Sequence, residues 1–126
     1  MAETIQQQLR QWLDESSIAV RYGERRQTWR EHLADATAQA SALLGIADRT
    51  RPVHIGALLG NTPDMLTALA AAGLGGYVLC GINNTRRGAA LQRDILHADC
   101  QILLTDADHR GLLDDLELPG VRVIDA

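Results

Sequence analysis

The sequence predicts an α/β fold: a mainly parallel sheet with helices on both faces, preceded by an N-terminal β-hairpin. Three observations predict it. Short apolar runs of strand length alternate with helical patterns along residues 28–126, which is the signature of βαβ units. The helical stretches between them are long enough to serve as right-handed crossovers. Hydrophobic residues make up 46% of the chain but aromatics only 3%, with no Phe, so the core must be thin layers of Leu, Ile, Val and Ala. At 126 residues the expectation is a single α/β unit, 1–126, with a helix in 1–17, a hairpin in 18–27 and alternating helix and strand in 28–126.

Residues 3–15 place Ile5, Leu9, Trp12 and Leu13 at i, i+4, i+7 and i+8, the spacing of an amphipathic helix. Residues 18–22 alternate as a strand does, and Gly23-Glu24 turns the chain into Arg25-Arg26-Gln27, giving the hairpin. Thr28-Trp29-Arg30-Glu31 has the form of a capping box, so a helix is expected from Trp29 to about Leu44, stopped by Gly45. Val53 to Leu59, bounded by Pro52 and Gly60, fits a buried strand. Asn61-Thr62-Pro63-Asp64 opens a helix to about Leu74 that is apolar on almost every side. Strands are expected over 77–82, 101–104 and 121–124. Between them come a helix burying Leu91, Ile95 and Ala98, and a short helix from the Thr105–Asp108 cap through Leu116.

Composition excludes several function classes. The formal net charge of −4 argues against nucleic-acid binding, which needs a basic surface. All twelve basic residues are Arg, so no Schiff-base lysine, Walker-type lysine or lysine general base exists in the chain. Cys80 and Cys100 are too few for a disulfide framework. The acidic, polar start Met1-Ala2-Glu3-Thr4 is unlike a secretory signal. The apolar stretch 66–79 is too short to span a bilayer. These features lead to the expectation of a cytoplasmic protein without a transmembrane segment.

Candidate chemistry is sparse. Gly56 to Pro63 follows a strand but does not form the G-x-G-x-x-G of dinucleotide-binding turns. Gly73-Leu74-Gly75-Gly76 follows a helix and reads as a helix stop. His97 and Cys100, with Asp106, Asp108 and His109, are of zinc-ligand type but lack the second paired motif of a closed site, so no metal ligand is assigned. Asp106, Asp108, Asp114 and Asp115 are explained by caps and a solvated helix face. Ser16, Ser17 and Ser41 lie in no nucleophile elbow, and Trp12 and Trp29 are expected as core anchors. No catalytic residue is assigned.

The order of features carries a resemblance. Residues 18–31, IAVRYGERRQTWRE, are followed by 53–66, VHIGALLGNTPDML, by 70–83, AAAGLGGYVLCGIN, and by 94–106, DILHADCQILLTD. Taken in this order, they resemble the opening of adenylate-forming, AMP-binding enzymes, most closely fatty-acyl-CoA synthetases of actinobacterial type. Asn84, where many relatives have Pro, and Gly75-Gly76, where Gly-Ala is usual, depart from the pattern. The resemblance implies an incomplete part of the family's large N-terminal domain. It also implies a parent reaction in which a fatty acid is activated by ATP and Mg²⁺ to acyl-AMP and then passed to CoA.

The family's phosphate-binding loop and catalytic lysine have no counterpart in this lysine-free chain, so the isolated chain is expected to be inactive. Carried over residue by residue, the resemblance leaves Arg86 and Arg87 as candidate contacts to CoA phosphates, whose oxygens suit guanidinium forks; a solvated basic turn is the alternative. A sheet and an apolar helix cut from a larger domain would leave apolar surface for homo-oligomer formation. A stand-alone, non-catalytic α/β interaction or nucleotide-binding module is the alternative function.

Overall fold

The computed structural model describes residues 2–126. The chain divides into two compact units, residues 2–46 with 62–76, and residues 47–61 with 77–126.

The first unit holds helix α1 (Ile5–Arg10), strands β1 (Ile18–Tyr22) and β2 (Arg25–Thr28), and helices α2 (Trp29–Ile46) and α3 (Pro63–Gly75). Thr4 and Gln7 close a capping box at the start of α1. The expected helix over 3–15 is cut to Ile5–Arg10. Beyond Arg10 the chain makes tight three-residue turns, Trp12 N–H to Leu9 O at 3.0 Å and Glu15 N–H to Trp12 O at 3.1 Å. There Trp12 lies against Trp29 with ring centroids 5.3 Å apart. The tertiary ring contact prevails over the helical spacing, and both indoles are half-buried.

Strands β1 and β2 form the expected antiparallel hairpin, Val20 opposite Gln27 and Arg21 opposite Arg26. The capping box on α2 forms as the sequence predicts: Glu31 N–H donates to Thr28 Oγ1 at 3.2 Å, and Thr28 N–H to Glu31 Oε1 at 2.9 Å. Gly45, expected to stop α2, lies inside its last turn; the helix ends one residue later. Helix α2 buries Leu33, Ala36, Ala40 and Leu43 where it packs with Ala68, Ala71 and Ala72 of α3. Such small residues allow two backbones to come close.

Pro63 in the first turn of α3, and Gly76 beyond its end at φ 74°, set the limits of that helix. Only glycine takes such a φ without strain. A Cβ on Gly73 would lie 2.9 Å from both Ile5 Cγ2 and Leu9 Cδ1, so the missing side chain is what lets α1 rest on α3. Gln6 Nε2 adds a 2.7 Å hydrogen bond to Leu74 O.

The second unit is built on a four-stranded parallel sheet, β3 (His54–Leu58), β4 (Val78–Gly81), β5 (Ile102–Thr105) and β6 (Arg122–Asp125), in the order β4-β3-β5-β6. The two central strands are the apolar ones: Ile55 to Leu58 and Ile102 to Thr105 are all buried. Continuous burial of this kind marks strands covered on both faces. Helix α4 (Gly88–His97) lays Leu91 and Ile95 against Leu58, Ile82, Cys100 and Leu103.

The short helix expected through Leu116 is only one 3₁₀ turn, Arg110–Leu113. Extended Asp114 (ψ 137°) and left-handed Asp115 (φ 66°) end it. Gln101 ties the 48–52 loop to the sheet, accepting from Asp48 N–H at 2.7 Å and donating to Asp48 O and Pro52 O. Among the described residues no helix is long and apolar enough to cross a membrane.

Candidate functional site

In an open α/β sheet, ligands bind outside the carboxyl ends of the strands where strand order reverses. Here that point lies between β3 and β5, since the chain passes from β3 to β4 on one side and then back to β5 on the other. Three turns of the second unit meet there. Thr105, fully buried at the end of β5, donates Oγ1 to Leu58 O at 3.1 Å. Gly60 N–H donates to Asp106 Oδ2 at 2.9 Å, and Asn84 Nδ2 to Leu59 O at 3.0 Å. Asp106 Oδ1 accepts from His109 N–H at 3.0 Å and pairs with His109 Nδ1 at 2.6 Å.

Burial pushes the Asp106 carboxyl up, but the Gly60 amide and the His109 ring and amide outweigh it. The group is held below the ordinary carboxylate range. These donors stabilise the charged form. Asp106 is therefore an ionised clasp joining the exits of β3 and β5, with His109 orienting it. From the sequence, Asp106 and His109 are expected as a cap and as a weak metal candidate. Their pairing is written in the D-x-x-H spacing, one turn apart, but only the sheet order brings Gly60 to them.

Arg86 and Arg87 lie in the exposed turn before α4. Arg86 Nε donates to Asp94 Oδ2 at 2.9 Å and its Nη2 to Asp94 Oδ1 at 3.4 Å. Arg87 Nη1 donates to Asn84 O and Arg86 O, each at 2.8 Å. Asn83 shapes the turn by accepting from Thr85 N–H and Thr85 Oγ1 through its Oδ1. The two guanidiniums are thus anchored at the same sheet edge as Asn84 and Gly60, each by part of its donor fork.

The remaining candidates do not converge. His97 is exposed at the end of α4 and Cys100 is buried ahead of β5, whereas Asp106 and His109 follow that strand. No group of three His, Cys, Asp or Glu among the described residues is arranged to hold a metal ion. Burial pushes the Cys80 and Cys100 thiols up, which disfavours the nucleophilic thiolate. What the edge offers chemically is a fixed backbone platform with two basic side chains.

No family model matches the chain. It is 47% identical over 105 residues to the medium/long-chain-fatty-acid–CoA ligase FadD17 of Mycobacterium marinum, covering 79% of this chain and 21% of the relative. It is 36% identical over 115 residues to the steroid-22-oyl-CoA synthetase of Rhodococcus jostii, covering 91% of this chain and 20% of the relative. Among solved structures, a benzoate CoA ligase from Burkholderia xenovorans superposes with a TM-score of 0.85 at 18% identity, over 99% of this chain and 26% of that one. ATP-bound MatB from Rhodopseudomonas palustris gives a TM-score of 0.83 at 19% identity, over 99% of this chain and 25% of that one. These two establish likeness of fold.

The chain spans about a fifth of the length of the curated relatives it matches. With the resemblance carried by the ordered segments over 18–106, the sequence relatives and the fold agree: the chain belongs to the adenylate-forming, AMP-binding acyl-CoA synthetases.

Proposed function

We propose that the chain serves as scaffold in a fatty-acyl-CoA synthetase, which forms acyl-AMP from a fatty acid and ATP with Mg²⁺ and then transfers the acyl group to CoA in the cytoplasm. The observation that carries this is the 47% identity over 79% of the chain to a medium/long-chain-fatty-acid–CoA ligase. The chain's own part is structural. Activation of a carboxylate at the α-phosphate needs cationic groups where negative charge develops, and family members use lysine there. This chain has none, so by itself it carries out no adenylation.

Arg86 and Arg87 are the residues of this chain proposed to meet CoA phosphates. Each guanidinium keeps donors beyond those already engaged with Asp94, Asn84 and Arg86 O, and planar forks pair well with phosphate oxygens. Exposed apolar residues, above all Leu66 and Leu69 of α3, are proposed as the route by which the isolated chain self-associates.

A chimera tests the scaffold role. The matching segment of the M. marinum ligase is replaced by this chain, and acyl-CoA formation is followed with fatty acids of graded length. Retained activity is expected; a folded chimera that makes no acyl-CoA overturns the proposal. R86Q/R87Q in that chimera should raise the KM for CoA severalfold and leave the KM for ATP unchanged. ATP-dependent release of AMP by the isolated chain would overturn its catalytic silence.

A further inference from the structure

We propose that the outer face of the β1–β2 hairpin docks on an anionic phospholipid bilayer through Arg21, Arg25 and Arg26, with Tyr22 as an interfacial anchor. Arg21 and Arg26 stand directly opposite each other in the ladder, and Tyr22 is opposite Arg25. The next pair inward, Val20 and Gln27, is buried, so the pleat turns Arg21 and Arg26 outward. All three arginines are exposed.

Like charges facing each other across an antiparallel pair repel. Among the described residues the ion pairs are Arg86 with Asp94, His109 with Asp106 and Arg110 with Asp125. None relieves the hairpin. Glu24 is the sole acid between Ile18 and Thr28, leaving residues 18–28 with a net charge of +2 (three Arg less one Glu) in a chain whose total is −4. The local excess of positive charge is balanced by nothing within the hairpin.

The shape of the element narrows what supplies the missing negative charge. Small-ligand sites are concave and enclose most of the ligand, which a two-stranded face cannot do, so the complement is an extended anionic surface. Tyr22 is 52% exposed and Ile18 39% exposed beside the arginines. Apolar and aromatic groups next to basic ones form the pattern that sits at a membrane interface, ring among the headgroups and cations at the phosphates. An extended nucleic acid would meet a protein of net charge −4, which disfavours it. Attraction to an anionic leaflet is worth roughly a fivefold gain in partitioning per arginine, and it falls off within a Debye length.

Flotation of the 126-residue chain with vesicles tests the surface, comparing phosphatidylcholine alone with phosphatidylcholine containing phosphatidylglycerol. Flotation with the anionic vesicles only, released by high salt, is expected. R21Q/R26Q should reduce partitioning roughly 25-fold, about fivefold for each arginine, with an unchanged unfolding midpoint. E24Q should raise it severalfold. R93Q on α4 should leave it unchanged. Equal binding to neutral vesicles, unchanged partitioning in R21Q/R26Q, or binding to duplex DNA in preference to vesicles would each overturn the assignment. Should R21Q/R26Q fail to fold, R21K/R26K keeps the charge and must float as the parent does, and E24Q must still strengthen binding; failure of both also overturns it.

Discussion

Asp106 shows how much one side chain does at the carboxyl edge of the sheet. Its two oxygens accept from Gly60 N–H, His109 N–H and the His109 ring, so D106A would leave the Gly60 amide without its partner. A loss of about 1–3 kcal/mol is expected, the usual cost of stranding a half-buried donor, measured as a shift in the urea midpoint. Because the folded-state carboxyl lies below its ordinary value of 3.8, its contribution is present above that value and lost as pH falls through the folded pKa. The difference in stability between D106A and the parent should therefore shrink in strong acid.

His32 titrates with the same sign and for a different reason. It is only 6% exposed, and burial lowers its pKa from 6.5, partly offset by Asp35. The neutral ring is the folded form. Stability should be full above pH 6.5 and decline as pH falls below it, until the folded ring itself takes up a proton. H32L should flatten that limb of the pH–stability curve.

At the scale of elements, α1 illustrates two effects of opposite sign. Gly73 lies within α3, where Ala is favoured over Gly by about 1 kcal/mol. The added methyl, however, would meet Ile5 and Leu9 at 2.9 Å. Helix α1 has no buried residue and is six residues long, so it yields before α3 does. G73A is expected to leave the unfolding midpoint unchanged or slightly raised, while amide exchange and protease cleavage rise sharply over residues 5–11. Protection of α1 equal to the parent's would refute this.

The same comparison explains what the sequence makes legible. Wherever a local device sets an element, its position is readable: the Thr28–Glu31 box starts α2, Pro63 starts α3, and Gly76 ends it. The alternating strands and the burial of Leu91 and Ile95 are readable for the same reason, since period and burial face are local properties. Where a distant partner decides, position is hidden. The helix over 3–15 is cut short where Trp12 meets Trp29, and the helix after Thr105 fails at a left-handed Asp115. At the candidate site the basic turn at Arg86-Arg87 is visible in sequence. The Asp106–Gly60 clasp is not, because it joins residues 46 apart through sheet order alone.

For the whole molecule, the distribution of apolar surface matters more than any single contact. The chain builds a core almost without aromatics, using Leu, Ile and Ala in closely packed elements, and leaves several large apolar side chains outside it. Leu66 and Leu69 are 45% and 53% exposed. They lie three residues apart on α3, so they share one face of that helix. Exposed neighbours of this size carry a hydrophobic driving force of about 25 cal/mol per Å² when covered. A net charge of −4 opposes association only weakly at physiological ionic strength, because it is screened beyond about 8 Å. Reversible, concentration-dependent self-association of the 126-residue chain is therefore expected in sedimentation velocity, little changed by salt. L66Q/L69Q should shift it toward monomer without lowering stability, since neither side chain is in the core. A chain that remains monomeric at high concentration, or a double variant that associates as the parent does, would show that this face is not what drives association.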